Sequence, residues 1–241
     1  MKITIANYTN IGDRSENEDS CSYLTNEKDD LIAVVADGLG GEGGGGKASM
    51  AAVNTVCDCF REKPVETAED FGRWFEIANS KVLEMQTPAC SMKTTLVVLQ
   101  ISDNIARWAH VGDSRLYHFV DGKIKERTFD HSVSQMAVLR GEITEDQIRG
   151  HVDRNKLLKA IGRAEGITAE CSSDVNMNDG SEHAFLMCTD GFWELITEEE
   201  MERCLAGSKD VGEWLGGMAY LIGLSSKENK DNNTAIALII K

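Results

Sequence analysis

Four aspartates lie at the ends of apolar stretches in this 241-residue sequence, namely Asp37, Asp113, Asp190 and Asp231, and three of them adjoin a glycine. If these ends meet, the carboxylates would repel one another and at least one would stay protonated. Mg²⁺ or Mn²⁺ would resolve that conflict, because both prefer oxygen ligands. No histidine or cysteine cluster of the kind that binds zinc accompanies the aspartates. Two such ions roughly 3.5–4 Å apart could share a hydroxide that attacks phosphorus in line.

Each Asp-Gly pair is by itself typical of a simple turn, and only the four aspartates together favour a metal site. A polar run over residues 10–19 adds Arg14, whose planar guanidinium could bind two oxygens of a phosphate group. The pattern therefore indicates a divalent-metal site with a neighbouring anion-binding residue.

The elements that must position these residues are apolar stretches. Residues 31–36 are all apolar and predict a strand buried on both faces, followed by Asp37 and a glycine-rich turn. A helix is predicted to follow from residue 48. The other aspartates adjoin strands predicted over residues 104–111, 184–188 and 235–240. Hairpin turns are predicted at 102–103 and 121–122, and the stretches 68–85 and 211–224 predict further helices.

Composition limits the class of protein. The sequence is 41% hydrophobic and 27% charged, which is ordinary for a globular chain. Its net charge of −15 argues against nucleic acid or an anionic membrane as partner. Seven scattered cysteines without a Cys-x-x-Cys pair favour reduced thiols, and no stretch approaches the roughly 20 apolar residues of a membrane span. We therefore expect a cytoplasmic protein.

Seven short motifs resemble, in the same order along the chain, those of the metal-dependent protein phosphatases of type 2C (the PPM family) in their compact bacterial form. They are Arg14-x-x-Asn17-Glu18-Asp19, Asp37-Gly38-x-Gly40-Gly41, Thr94-Thr95, Gly112-Asp113-Ser114-Arg115, Asp130-His131-Ser132, Thr189-Asp190-Gly191 and Asp231-Asn232-x-Thr234. Any one of them is a weak signal, whereas the ordered set covers nearly the whole chain.

The resemblance implies two core Mn²⁺ or Mg²⁺ ions and, in bacterial members, a weaker third. Asp37 would bridge the two core ions, and the Gly38 carbonyl would bind one of them. Asp190 and Asp231 would complete the first metal site.

Three further residues would complete the family's metal set, and Arg14 would bind the substrate phosphate. Glu18 would hold water molecules of the second ion, and Asp19 would support it from behind. The third ion would be bound by Asp113 together with Asp190.

The fold implied by the family is an α+β, four-layer α-β-β-α sandwich, with two central antiparallel sheets flanked by helices. Residues 1–241 would form one catalytic domain, with a flap over residues 132–153 beside the site. The implied activity is hydrolysis of phosphoserine and phosphothreonine in proteins. Expected partners are phosphorylated proteins, among them a serine/threonine kinase or its targets, and we expect a monomer.

One position departs from the family pattern. Leu39 stands where many eukaryotic members carry a histidine proposed as general acid, and leucine cannot donate a proton. The five histidines are scattered, and structural roles are favoured for them over proton transfer by His131 or His151.

Two other functions remain open at this point. A phosphatase fold kept as a binding module would be expected to lose a metal aspartate, yet all are present. A nucleotide-binding P-loop matches residues 41–47, but the next position requires Ser or Thr for Mg²⁺ and is Ala48.

Overall fold

The computed structural model describes residues 2–40 and 44–241. Strands make up two main sheets and one short ladder in this part of the chain. Their bounds are Ile3–Asn10 (β1), Ser20–Thr25 (β2), Leu31–Ala36 (β3), Gly38–Leu39 (β4), Lys93–Thr94 (β5), Leu96–Ser102 (β6), Ile105–Val111 (β7), Arg115–Val120 (β8), Lys123–Arg127 (β9), Glu170–Cys171 (β10), Val175–Asn176 (β11), His183–Cys188 (β12) and Asn233–Ile240 (β13).

The first sheet has the order β1-β13-β12-β8-β9, and the second has the order β10-β7-β6-β3-β2, with β11 also paired to β7. Strands β4 and β5 form the short ladder. All of the described strand pairs are antiparallel.

Helices cover the outer faces of both sheets. Their bounds are Gly44–Glu62 (α1), Ala68–Met85 (α2), Val133–Leu139 (α3), Asp190–Trp193 (α4), Glu198–Gly207 (α5) and Val211–Leu224 (α6), and residues 145–150 form a 3₁₀ turn. Among the described residues, no helix combines the length and apolar character needed to cross a bilayer.

Strand β3 shows why the chain forms four layers. Its alternate residues Ile32, Val34 and Ala36 pack into the cluster that contains the buried residues of α1 and α2. The residues between them, including Val35, pack against the other sheet, where Leu238 lies in the same cluster. A third cluster joins the first sheet to α5 and α6. The continuous apolar run thus reflects burial on both faces, and the predicted α-β-β-α sandwich is confirmed.

The two predicted hairpins are confirmed, with a small shift at the first. Strands β6 and β7 are joined by Asp103 and Asn104, at φ of 50° and 62°, one residue later than the Ser102-Asp103 break predicted. Asp121 and Gly122, at φ of 49° and 79°, join β8 to β9. Positive φ at both central residues gives the turn a twist that matches the paired strands.

Helix α1 begins earlier than the composition predicts. It starts at Gly44, inside the glycine run, and not after Gly46. Residues 41–43 of the P-loop pattern lie outside the described residues, and its remaining glycines form the first turn of α1. The early start lets the N-terminus of α1 reach the site described below.

Candidate metal centre

A cleft of about 590 Å³ lies where the aspartate-bearing strand ends meet. Seven of the eight residues predicted for the site line it, and Asp19 lies behind them. The full lining is Arg14, Ser15, Glu16, Glu18, Asp37, Gly38, Leu39, Gly40, Asp113, Asn155, Leu157, Asp190, Asp231 and Asn232.

Strand register brings the aspartates of the first sheet to one end. Cys188, the last residue of β12, pairs with Ala235 on one side and with Arg115 on the other. Asp190 therefore follows β12 at the same end of the sheet at which Asp113 precedes β8 and Asp231 precedes β13. Because adjacent strands are under 5 Å apart, these carboxylates are neighbours although they are far apart in sequence.

The second sheet delivers Asp37 to the same place, and two threonines fix its backbone. The Asp37 N–H donates to Thr95 Oγ1 at 2.9 Å. The Asp37 carbonyl accepts from the Thr95 N–H at 2.9 Å and from the Thr94 hydroxyl at 2.8 Å. Thr94 and Thr95, which the sequence offered only as a motif, thus hold the backbone of the central carboxylate in place.

Burial and mutual repulsion raise the pKa values of Asp37, Asp113 and Asp190 in the cleft. Burial is the largest cause for Asp37, whose pKa is raised well above its usual value, and Asp190 adds to it from within hydrogen-bonding range. Burial, with Glu194 and Asp231 beside it, raises the pKa of Asp190 to about 6. The pKa of Asp113 is also raised, first by burial and then by Asp190. The site thus holds more negative charge than its own cations balance.

Asp19 extends this acidic cluster behind the cleft. Its Oδ2 accepts a hydrogen bond from the Thr189 hydroxyl at 2.9 Å, which places it next to Asp190. Its Oδ1 is buried without a hydrogen-bond partner in the described part of the chain. Burial, opposed by hydrogen bonds and reinforced by Asp190, raises the pKa of Asp19 to about 7. An orphaned buried carboxylate oxygen beside other carboxylates is the donor chemistry that hard divalent cations use.

Arg14 is the cation that this cleft provides. Its Nη2 forms an ion pair with Asp231 Oδ2 at 2.7 Å, across 217 positions of sequence. As far as the described residues go, the pair leaves the other guanidinium N–H groups available to an anion. Arg14 was predicted to bind phosphate, and its ion pair with a predicted metal ligand is an additional contact that the sequence did not indicate.

Asn232 joins the Arg14 loop to the Asp231 loop, a role that the sequence analysis did not assign. Its Oδ1 accepts from the Glu18 N–H at 2.8 Å, and its Nδ2 donates to the carbonyls of Ile11 and Glu16 at 2.8 and 2.9 Å. Asn232 lies in the quoted Asp-Asn motif, which was the available signal. Its contacts hold the two halves of the site together.

Glu18 lies at the N-terminus of α1. Its Oε1 accepts from the Gly46 N–H at 3.3 Å, where the helix dipole stabilises negative charge. A Cβ at Gly45 would come within 2.7 Å of Glu18 Oε1 and 2.6 Å of the Gly38 carbonyl oxygen. A larger residue would displace both groups, so the glycine lets the helix approach the predicted ligands closely.

The predicted flap covers residues 132–153, but the cleft-lining residues in this region follow it closely in the sequence. Asn155 and Leu157 are the lining residues there. The segment itself is anchored by Arg149, whose side chain donates to the carbonyls of Trp193 and Ile196 at 3.1 Å each. Sequence patterns carried no signal for Asn155 or Leu157.

A tighter cluster of ligand-type side chains occurs elsewhere. Among the described residues, one group of three has all its ligand atoms within 4.8 Å, and it is His110, His131 and Glu170. The cleft carboxylates are spread more widely, so ions there would take water as well as carboxylates, as Mg²⁺ usually does.

Comparison with known proteins agrees with this geometry. Residues 8–213 match the family model described as protein phosphatase 2C. A curated serine/threonine phosphatase, stp from Listeria monocytogenes, is 31% identical over 231 residues, covering 92% of this chain and 90% of the relative.

Two solved structures show the same fold. The serine/threonine phosphatase of S. agalactiae superposes with a TM-score of 0.85 at 24% identity, and covers 99% of both chains. The catalytic domain of the serine/threonine phosphatase PstP, solved with two manganese ions, superposes with a TM-score of 0.81 at 22% identity, again over 99% of both chains. The chain therefore belongs to the protein phosphatase 2C family, the serine/threonine protein phosphatases that depend on Mn²⁺ or Mg²⁺.

Proposed function

We propose that the cleft binds two divalent cations and the phosphate of a phosphoserine or phosphothreonine in a protein, and that this chain hydrolyses the ester. The observation that carries the proposal is the convergence of the cleft aspartates around one arginine, with raised pKa values at Asp37 and Asp190. When bound, the cations would neutralise this charge, lower the pKa of a water molecule and polarise the phosphate.

The central ligand in this proposal is Asp37, which lies between the other carboxylates and is held rigidly by Thr95. Gly38 would add its carbonyl oxygen, and Asp190 and Asp231 would complete the first ion's set. The rigid backbone around Asp37 supports this role, because preorganised groups need not rearrange during the reaction.

The remaining acidic residues would act at the edges of this set. Glu18, fixed at the N-terminus of α1, would hold water molecules of the second ion. Asp19 would support Glu18 from behind, and it accepts a hydrogen bond from the hydroxyl of Thr189, the residue before Asp190. Asp113, buried with 5% exposure, would bind a third ion together with Asp190.

Arg14 would bind the phosphate group. Its side chain is 55% exposed at the cleft, and its ion pair with Asp231 aims the guanidinium toward the metal ligands. The fork of N–H donors can then grip two phosphate oxygens as negative charge develops on them.

Protonation of the leaving alkoxide is not assigned to a histidine. Leu39 lines the cleft and has no proton to give, and the lining includes no histidine among the described residues. A water molecule in the cleft is the proton donor most consistent with this lining, which is polar on the side of the aspartates.

The oligomeric state, the protein substrates and the cellular compartment are further parts of the proposal. The cleft lining runs from Arg14 to Asn232, which supports one catalytic domain over residues 1–241. We infer that this domain acts as a monomer. We infer that a serine/threonine kinase or its targets are among the substrates. No disulfide joins the described cysteines, which supports a reducing compartment such as the cytoplasm.

The test is phosphate release from a phosphothreonine peptide, with Mn²⁺ and with EDTA, for the wild type and Asp190→Asn. Asp58→Asn, at a side chain that is 70% exposed on α1, is the matched control. We expect metal-dependent release that Asp190→Asn removes and Asp58→Asn retains. Absence of release with any divalent ion, from protein shown to be folded, would overturn the proposal in favour of a binding module.

A further inference from the structure

His131 is bound to Gly112, the residue just before Asp113, by two hydrogen bonds. The His131 main-chain N–H donates to the Gly112 carbonyl at 2.9 Å. The Gly112 N–H in turn donates to Nδ1 of the His131 ring at 3.2 Å. Both polar groups of Gly112 are thus held by one residue from a distant part of the chain.

Gly112 has little freedom of its own. Its φ is +105°, and a Cβ there would come within 2.6 Å of Thr95 Cγ2. Asp113 follows directly, and its carbonyl accepts from Trp193 Nε1 at 3.0 Å. The direction in which the Asp113 carboxylate enters the cleft therefore depends on His131 on one side and on Trp193 on the other.

The role of His131 as an acceptor requires an unprotonated Nδ1. The ring proton then lies on Nε2, which is 3.4 Å from Glu170 Oε2 and 3.5 Å from Lys159 Nζ. Burial, followed by His110 and Lys159, lowers the pKa of His131 to about 3. The ring is therefore neutral at physiological pH, and Nδ1 stays available to Gly112.

His110 fixes the plane of the His131 ring. The two rings stack with centroids 4.7 Å apart and an interplanar angle of 6°. His110 Nε2 is itself held by the carbonyl of Phe129 at 2.7 Å. Nitrogen lone pairs in two parallel, stacked planes cannot converge on one ion, so this pair with Glu170 is a packing unit and not a metal site.

We propose that His131 is a positioning residue for Asp113: its Nδ1 and main chain hold Gly112 so that the Asp113 carboxylate points into the cleft. The inference rests on the proposed role of Asp113 as ligand of the third ion. His131 is not among the residues that line the cleft, so it acts through Gly112 and not on the substrate.

The experiment compares three substitutions at His131. Asn carries an oxygen close to the place of Nδ1 and preserves the acceptor, whereas Leu removes it and Gln places its oxygen near Nε2. His118→Leu is the control, since His118 is also buried, stacks on His183 and makes no described contact with Gly112. Two quantities are measured: amide hydrogen exchange of Gly112 in metal-free protein, and Mn²⁺ binding by calorimetry.

We expect His131→Leu and His131→Gln to speed Gly112 exchange and to weaken the weakest Mn²⁺ site roughly 10–100-fold, the usual cost of losing a group that orients a metal ligand. His131→Asn and His118→Leu should leave both quantities close to those of the wild type. If His131→Leu does not fold, the contrast between Gln and Asn carries the test.

Two results would overturn the inference. One is unchanged Gly112 exchange in the Leu and Gln variants, which would show that Nδ1 does not hold the amide. The other is an unchanged weakest Mn²⁺ site in the variants whose Gly112 exchange is faster. A wild type that binds no Mn²⁺ at all would count against the proposed function, while the exchange data would still decide whether His131 holds Gly112.

Discussion

Two clusters of buried charge lie on either side of Asp113, and they are built in opposite ways. In the first, Arg115 and Asp130 form a double hydrogen bond at 2.8 and 2.7 Å, with side chains only 2% and 1% exposed. The Arg115 guanidinium also lies 3.5 Å from the centre of the Trp193 ring and donates to the Tyr117 hydroxyl. Every charge in this cluster has a partner.

The second cluster is the cleft, where carboxylates face one another. Asp37 and Asp190 lie within hydrogen-bonding range, and both have raised pKa values. Arg14 is paired with Asp231 at the rim of the cleft, where both side chains are exposed, and this ion pair is therefore not a buried one. A buried charge that is paired contributes to structure, whereas carboxylates without partners are poised for a ligand, and perturbed pKa values cluster at such sites.

The largest effect is expected from breaking the paired cluster. Arg115→Met should lower the free energy of unfolding of metal-free protein by about 3–5 kcal/mol, because Asp130 would stay buried after losing both short hydrogen bonds to Arg115, with Arg127 remaining at 3.9 Å. Denaturant unfolding measures this loss. Arg107→Met is the control, since its partner Asp174 is 57% exposed and such pairs contribute roughly 0–1 kcal/mol. Equal losses in the two variants would contradict the distinction between the clusters.

The opposite result is expected in the cleft. Asp37→Asn should reduce metal-dependent phosphate release about 10²–10³-fold, the order seen when one preorganised charge-stabilising group is removed. Metal-free stability should stay equal or rise, because one of several repelling carboxylates is lost. Peptide dephosphorylation and denaturant unfolding are both measured, with Asp58→Asn as the matched control. A large loss of stability would place Asp37 with the structural cluster instead.

A smaller effect is expected from pH. Asp190 and Asp19 have folded pKa values of about 6 and about 7, above the unfolded value near 3.9. Folded metal-free protein therefore binds more protons than unfolded protein in this range. The stability that these two groups contribute is complete below about pH 4 and is lost as pH rises through 6–7. We expect a loss on the order of 2 kcal/mol between pH 6 and 8.

Thermal or denaturant unfolding in EDTA measures this pH dependence. Saturating Mn²⁺ should remove most of it, because ligands that bind the folded state stabilise it by mass action and prefer the ionised carboxylates. A metal-free stability that rises between pH 6 and 8 would show that other groups dominate.

The sequence predicted most of the cleft because the motifs name residue types and order. Asp37, Asp113, Asp190 and Asp231 were identified as carboxylates beside the ends of apolar stretches, and all four line one cleft. Local patterns also predicted the two hairpins. These local patterns placed the start of α1 too late, because glycine is a poor helix former. Gly44 is nevertheless helical and buried, since its packing depends on residues that are distant in the sequence.

Partners far apart in sequence could not be predicted in this way. No spacing rule indicated that Arg14 binds Asp231 or that Asn232 holds Glu18. The stack of His110 on His131 likewise depends on tertiary structure, because the loop after β9 brings His131 against His110 of β7. Periodicity describes which face of an element is apolar, and it does not state which elements meet.

The sequence by itself determined the chemistry of this protein: oxygen ligands at strand ends, an arginine for phosphate, and the order of motifs that marks the family. Tertiary structure alone decided which carboxylates share a space, which charges are paired and which histidine holds Gly112. The physical reason is that residue type sets what a group can bind, whereas its pKa, its partners and its direction depend on burial and on neighbours that only the folded chain supplies.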